Sequence, residues 1–515
     1  MYCMINAGAI HGIDSYITHV EVDASNGMPG FEMVGLLNSE VREARERVKV
    51  ALKNSHFDIP PMKITISLSP ADIRKEGSAF DLPIAIGVLV ALGHIPEENV
   101  KDILIIGELG LDGEVRPAKG ILPIVMEAKR HHCKKCIVPL ENVREGAVIE
   151  GVKLVGVSNL METFTYLNKN KKEQDKMIPP THVDAKELFQ EGYLEETLDF
   201  ADINGQDSVK RAVEIAAAGF HHILLIGTPG SGKTMIAKRI PTILPPLSLD
   251  ESLEVSTIYS VSGKLKPNET LIIKRPFLNP HHTISEQALA GGGRVPHPGV
   301  ISLAHRGVLF LDELPEFKRT TLDIMRQPLE DRQVHIARTY GTFTYPADFM
   351  LVAALNPCPC GYYPDRKRCR CSELEVKRYL SRVSGPILDR IDISIETPRV
   401  DFEQLSIRSS NETSAKIRAR VMEARERQKI RFADSKYRFN SDITAGDMKR
   451  YCTLGMEEQK YMEEIFHAMN MSARAYHRMI KTARTIADLD AKDHIEKKHL
   501  SEAACYRMAS EKYWK

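Results

Sequence analysis

The sequence predicts an α/β protein built on a buried parallel sheet, and three stretches carry that reading. The apolar run Ile223-Leu-Leu-Ile226 opens directly into Gly227-Thr-Pro-Gly-Ser-Gly-Lys-Thr234. A second run, Val308-Leu-Phe-Leu311, ends in Asp312-Glu313, and a third, Leu351-Val-Ala-Ala-Leu355, ends in Asn356. Short apolar runs closed by glycine-rich or polar turns are the pattern of strands covered on both faces.

The first stretch fits the phosphate-binding loop G-x-x-x-x-G-K-[ST], and Met235 to Ile240 then restores helical spacing. Glycines let backbone N–H groups curl around phosphate oxygens, and the following helix N-terminus adds partial positive charge. Gly227, Thr228, Pro229, Gly230, Ser231, Gly232, Lys233 and Thr234 are therefore the predicted nucleotide cradle. Lys233 would reach the β- and γ-phosphates, and the Thr234 hydroxyl would face Mg²⁺. In the second stretch Asp312 would hold Mg²⁺, and Glu313 would polarise the attacking water. The expected cofactors are ATP and Mg²⁺, and the expected reaction is ATP hydrolysis.

At 515 residues the length suggests roughly three domains. Hydrophobic content of 43% and charged content of 27% are ordinary for a globular protein. A net charge of +1 means that any basic surface must be local. The stretch from Met1 to Gly8 has neither a basic region nor an apolar core, and the longest apolar run, Leu82 to Leu92, is too short to span a bilayer. With nine cysteines, an odd number, the reading is a reducing, cytoplasmic setting and no membrane partner.

Taken in order, Val20 to Asp23 and Lys63 to Leu68 alternate like half-buried strands, and Val41 to Lys53 has helical spacing. Leu82 to Leu92 reads as a buried helix, and Ile103 to Ile106 and Cys136 to Val138 as strands. His131-His-Cys-Lys-Lys-Cys136 offers potential metal ligands, but a helix end leading into a strand accounts for it better. Asn168 to Pro180 is polar and Pro-terminated and reads as a linker. Val209 to Ala218 is a helix leading into the phosphate-loop strand. Gln333 to Tyr345 alternates around Gly341 and reads as a hairpin. Asp442 onward is helical throughout.

Cys358-Pro-Cys360 and Cys369-Arg-Cys371 place four cysteines as two CxC pairs within fourteen residues. Four thiolates are the ligand set of a closed structural Zn²⁺ site, the alternative being reduced surface cysteines. Such a knuckle, with Arg366, Lys367, Arg368 and Arg370 on it, could brace its surroundings or touch nucleic acid. Thr413 to Phe432 is a charged helix whose basic residues read as a solvated face, with a DNA-facing stripe as the minority view.

Asn26-Gly-Met-Pro-Gly-Phe31, Leu68-Ser-Pro-Ala-Asp72 and Lys75-Glu-Gly-Ser-Ala-Phe-Asp-Leu-Pro83 resemble the N-terminal domain of the YifB/ComM family of magnesium-chelatase-like AAA+ proteins. That domain is similar in fold to the Lon protease domain. The resemblance divides the chain into a Lon-protease-like α+β domain (1–167), a linker (168–195), a P-loop AAA+ α/β domain (196–400) and a C-terminal helical lid (401–515). It implies that Asn356 is the sensor-1 residue, Arg390 the arginine finger with Arg382 in reserve, and Arg474 the sensor-2 arginine. A finger acting on a neighbour implies a ring, by resemblance a homo-hexamer. Arg275 to Thr283 and Gly291 to Pro296 resemble the helix-2 insert, and the Gln333–Tyr345 segment the pre-sensor-1 hairpin. Arg294, Arg338 and Tyr340 are the expected DNA contacts. The family resemblance implies a branch-migration helicase acting on single-stranded or branched DNA during natural transformation, alongside recombination proteins. Two rivals are a magnesium-chelatase subunit and a Lon-like protease. For the latter, Ser78 is near the right element, but Lys119-Gly-Ile-Leu122 stands where Lon carries its lysine.

Overall fold

The computed structural model describes residues 1–192, 198–266, 269–338, 341–399 and 411–514. The chain divides into two compact units. The first comprises Met1–Glu191, Leu249–Ile273 and Ala337–Thr344, and the second Gly192–Ser248, Lys274–Ile336 and Tyr345–Lys515.

In the first unit seven strands form one mixed sheet: β1 (Tyr2–His11), β2 (Asp14–Ser25), β3 (Gly30–Val34), β4 (Lys63–Ser69), β5 (Ile103–Ile105), β6 (Lys135–Pro139) and β7 (Lys153–Val157), in the order β3-β4-β2-β1-β5-β6-β7. β1 and β2 form an antiparallel pair with Ile5 opposite Val20, and β5, β6 and β7 run parallel. Helices α1 (Ser39–Asn54), α2 (Asp81–Ala91) and α3 (Ile121–Arg130) belong to the same unit. Every residue of α2 is buried, Leu82 onward because the run is apolar and Asp81 through its pairing with Arg47, and α1 and α2 contribute Val48, Leu52, Ile86 and Leu89 to the core with Ile5 and Val22. Cys136 is buried in β6 and His131 caps α3, so the His-Cys cluster is a helix end running into a strand.

The stretch after Asn168 forms helix α4 (Lys171–Met177), capped by the Asn170 side chain. A helix there is explained by polar rather than apolar burial. Gln174 is buried and accepts from the Lys135 ammonium at 2.9 Å. Residues 193–197 of the expected linker lie outside the described residues.

The second unit holds helix α5 (Asp207–Gly219) and a five-stranded parallel sheet: β8 (Ile223–Gly227), β9 (Phe277–Leu278), β10 (Val308–Leu311), β11 (Met350–Leu355) and β12 (Ile393–Thr397), in the order β9-β10-β11-β8-β12. β8 lies between β11 and β12, with Ile223 level with Val352 and with Ile393. The strands are buried almost throughout because helices clothe them. Helix α6 (Lys233–Ile243) follows β8, and the C-terminal part supplies α7 (Glu373–Leu380), α8 (Ser414–Arg431), α9 (Ala473–Leu489) and α10 (Lys497–Trp514). The α/β class with a helical C-terminal part is as the sequence predicts.

The basic helix α8 is less solvated than its sequence suggested. Arg420 pairs with Glu214 and Glu412, Arg431 pairs with Asp488, and Arg425 lies 3.8 Å over the Phe439 ring. Its cations meet carboxylates and an aromatic face supplied by other elements, which no reading of the helix alone could reveal.

Candidate nucleotide site

The phosphate loop forms where sequence placed it, at the carboxyl end of β8, the usual ligand end of a parallel sheet. Gly227 has no room for a side chain, since a Cβ there would lie 1.9 Å from Thr397 Oγ1. Gly230 and Gly232 have φ of 76° and 82°, values that favour glycine, and they turn the loop into the start of α6. Lys233 is the first residue of that helix. Its Nζ donates to Gly227 O at 2.7 Å, Thr228 O at 3.0 Å and Asn356 Oδ1 at 3.1 Å. Burial lowers the Lys233 ammonium to about 8, partly offset by Asp312 and Glu313.

Thr234 Oγ1 donates to Asp312 Oδ2 at 2.8 Å, so the two expected Mg²⁺ ligands already meet. Asp312 directly follows β10, and the next residue, Glu313, has φ of 52°, an uncommon conformation for a residue with a side chain. That bend directs the chain into a short 3₁₀ turn and leaves the Glu313 side chain about half exposed. An ammonium, a hydroxyl, two carboxylates and an amide converge here. The donor set fits a triphosphate with Mg²⁺: the buried Thr228 Oγ1 has no hydrogen-bond partner, and open space surrounds Gly230. One neighbour was not foreseen as part of this group. His282 Nδ1 lies 3.6 Å from Glu313 Oε2, its ring packed 4.1 Å from that of His281. The His-His pair was visible in sequence, but only the pairing of β9 with β10 brings it to Glu313.

The expected arginines stand elsewhere. Arg390 precedes β12 and Ile393 is level with Ile223, so Arg390 lies at the amino end of the strands. Five strand residues at about 3.3 Å each separate it from the phosphate loop. Arg390 is buried and pairs with Glu330 at 2.6 Å. Arg474, in the first turn of α9, is exposed and lies 3.6 Å from the same Glu330 carboxylate. One turn on, Arg478 donates to Asp392 Oδ1 at 2.7 Å. Burial alone would raise the Asp392 carboxyl, but Arg478 and His221 hold it well below the usual carboxylate range. Glu330, Arg390, Arg474 and Arg478 line a cleft of about 860 Å³ together with Arg332 and Lys481. Arg382, the reserve, pairs with Glu316 at 3.1 Å near the carboxyl end of β10. The structure thus brings together Lys233, Thr234, Asp312, Glu313 and Asn356, and separately Arg390 and Arg474.

The four cysteines converge as well. Cys358 Sγ lies 3.4 Å from Cys360 Sγ and 3.7 Å from Cys369 Sγ, and all four sulfurs fall within 4.8 Å of one another. A tetrahedron with metal–sulfur bonds of about 2.3 Å has sulfur–sulfur edges of about 3.8 Å, so the set fits Zn²⁺. Among the described residues it is the only group of three or more His, Cys, Asp or Glu arranged to hold a metal.

Of the expected DNA contacts, Arg294 is exposed between the strand pair Gly291–Gly292 and His297–Pro298. Arg338 is exposed at the end of the hairpin strand Gln333–Arg338, and Tyr340 lies outside the described residues. In the first unit, the hairpin's Phe343 ring packs 4.7 Å from His11. Ser78 Oγ donates to the Glu108 carboxylate. The buried Lys75, three residues earlier, gives its ammonium to Pro70 O and Ile73 O.

Comparison with known proteins agrees along the whole length. Three family profiles match in succession: "Subunit ChlI of Mg-chelatase" over residues 20–142, "Magnesium chelatase, subunit ChlI" over 199–405, and "Magnesium chelatase, subunit ChlI C-terminal" over 411–507. "Uncharacterized protein YifB" of Escherichia coli is 42% identical over 98% of this chain and 96% of its own. "Competence protein ComM" of Haemophilus influenzae is 40% identical over 98% of this chain and 97% of its own. "Lon protease 2" of Bacillus subtilis is 24% identical over 47% of this chain and 48% of its own.

Proposed function

The chain belongs to the YifB/ComM family of magnesium-chelatase-like AAA+ ATPases, and from that premise we propose that it is a DNA motor that works as a ring, a homo-hexamer. In this reading each protomer binds ATP and Mg²⁺ on Lys233, Thr234 and Asp312, and Glu313 activates water while Asn356 orients it. Arg390 and Arg474 act on the nucleotide of the neighbouring protomer. The observation that carries this is the separation along the sheet. Both arginines stand at the opposite end of the strands from the phosphate loop of their own chain. Phosphoryl transfer gains from an arginine on the γ-phosphate beside the lysine of the phosphate loop, and a second protomer would bring Arg390 and Arg474 to it.

The work done is translocation on DNA, promoting branch migration when incoming DNA is integrated during natural transformation. Support comes from the ComM relative, whose name is that of a competence protein. Exposed Arg294 and Arg338 would meet DNA phosphates without reading sequence. The four cysteines hold structural Zn²⁺. The setting is the cytoplasm; no helix among the described residues is long and apolar enough to cross a membrane.

A labelled four-way junction with ATP tests the reading. Wild type should migrate the branch, whereas Lys233→Ala and Glu313→Gln should not. Strand movement by both variants at the wild-type rate would refute the motor. A wild type that hydrolyses ATP but never binds the junction would refute the DNA part alone.

A further inference from the structure

The segment from Asn356 to Ser372 has no regular secondary structure, yet it is tied at two points to elements of the nucleotide site. It starts at Asn356, whose amide oxygen receives the Lys233 ammonium. Cys358, fully buried, comes two residues later. Gly361 then turns back, its N–H donating to Cys358 O at 2.9 Å. Its φ is 83°, and a Cβ on it would lie 2.3 Å from Pro229 Cδ and 2.6 Å from Cγ. The backbone of the cysteine knuckle thus lies directly against the proline of the phosphate loop. Tyr363 N–H points at Cys358 Sγ at 3.4 Å, as donors do around metal-bound thiolates. At the far end Ser372 and Glu375 form a capping box that starts helix α7. Arg366, one of the knuckle's cations, turns inward, donating to Cys371 O at 2.9 Å and lying 5.1 Å over the Tyr363 ring.

We propose that Cys358, Cys360, Cys369 and Cys371 bind one Zn²⁺ that braces the nucleotide site, fixing Asn356 and Pro229 relative to each other. The proposal rests on the ATPase reading above and adds a requirement to it. With the metal, the loop is a rigid strut between β11 and the phosphate loop. Without it, a segment with neither ladder nor helix has nothing else of comparable strength to hold its shape. Asn356 and the cradle then drift while the parallel sheet, whose core is independent of the knuckle, stays folded. Misplacement by about an ångström costs on the order of 10²-fold in rate.

The test compares wild type, a Cys369→Ser/Cys371→Ser double variant and Gly361→Ala. Zinc content, affinity for a fluorescent ATP analogue, ATP turnover and far-UV circular dichroism are read on the same samples. Wild type should carry one zinc per chain. The double variant should lose zinc and about 10²-fold in turnover, with its circular dichroism preserved. Gly361→Ala keeps all four thiols, so it should retain zinc yet lose affinity or turnover, because the added methyl pushes the knuckle off Pro229. Zinc-free wild-type protein, or wild-type turnover in both variants, overturns the inference while the ATPase reading stands. A wild type that holds zinc but neither binds nor hydrolyses ATP overturns both.

Discussion

The two ends of the parallel sheet are built on opposite principles. At the carboxyl end, one ammonium is shared among two backbone oxygens and an amide, the Glu313 carboxylate is half exposed, and Gly230 leaves open space. At the amino end the charges neutralise one another in pairs with at least one buried partner: Arg478 with Asp392, Arg332 with Asp442, and Arg390 with Glu330. The first end is arranged to accept an anion, the second to hold cations ready in fixed directions. In the proposed ring, the cradle of one chain would face the arginines of the next.

The largest effect that could break this contrast is at the cradle. Lys233→Ala should abolish nucleotide binding, and Glu313→Gln should keep binding but lose about 10²–10³-fold in turnover, as when one transition-state donor is removed. A filter-binding assay beside phosphate release separates the two. Arg390→Ala and Arg474→Ala should each cost about 10³-fold in turnover, the scale of a lost arginine finger, with nucleotide affinity of the variant itself unchanged. Mixing Arg390→Ala with Lys233→Ala protein sharpens the test: activity should reappear, because some interfaces then pair an intact cradle with an intact arginine. Mixtures as dead as their components would mean that the arginines serve their own chain.

A smaller effect concerns the paired end itself. Asp392→Asn leaves the partly buried Arg478 beside a neutral group and should destabilise the fold by up to about 3 kcal/mol, read by denaturant melting. The smallest effect is a pH dependence at the cradle. With Lys233 lowered to about 8, the ammonium is intact at neutral pH and is lost as pH rises through that value. Nucleotide binding restores the charge, so wild-type affinity should weaken above pH 8 by up to tenfold per unit, read by the same filter-binding assay across pH. The sign for folding is the reverse. Between about 8 and the ordinary lysine value the unfolded chain holds the proton and the folded one does not, so nucleotide-free stability rises with pH there.

Much of the carboxyl end was legible in the sequence. Apolar runs of four or five residues ending in Gly, Asp-Glu or Asn announce their strands, and the loop pattern names its own ligand. The amino end was not. Ile393-Ser-Ile-Glu-Thr397 alternates only weakly, and only its pairing with β8 reveals where Arg390 stands. Glu330, which gathers both arginines, has no local signature at all. Likewise nothing in Leu249–Ile273 or Ala337–Thr344 says that these segments cluster with the N-terminal unit. Such contacts join residues far apart in the chain, and periodicity reports only neighbours. The cysteine pairs announced a metal, whereas the approach of Gly361 to Pro229 needed three dimensions.

β12 closes the sheet's order and, among the described residues, has a single strand partner, β8. Helix α10 packs along it, with Lys512 paired to Glu396 at 2.7 Å and the Trp514 indole N–H on Leu380 O at 3.1 Å. That helix acts as a sheath over backbone groups that would otherwise be free to recruit a foreign strand. Proteolysis or engineering that strips it should therefore turn a dispersed protein into one that clumps, well before the catalytic cradle is disturbed.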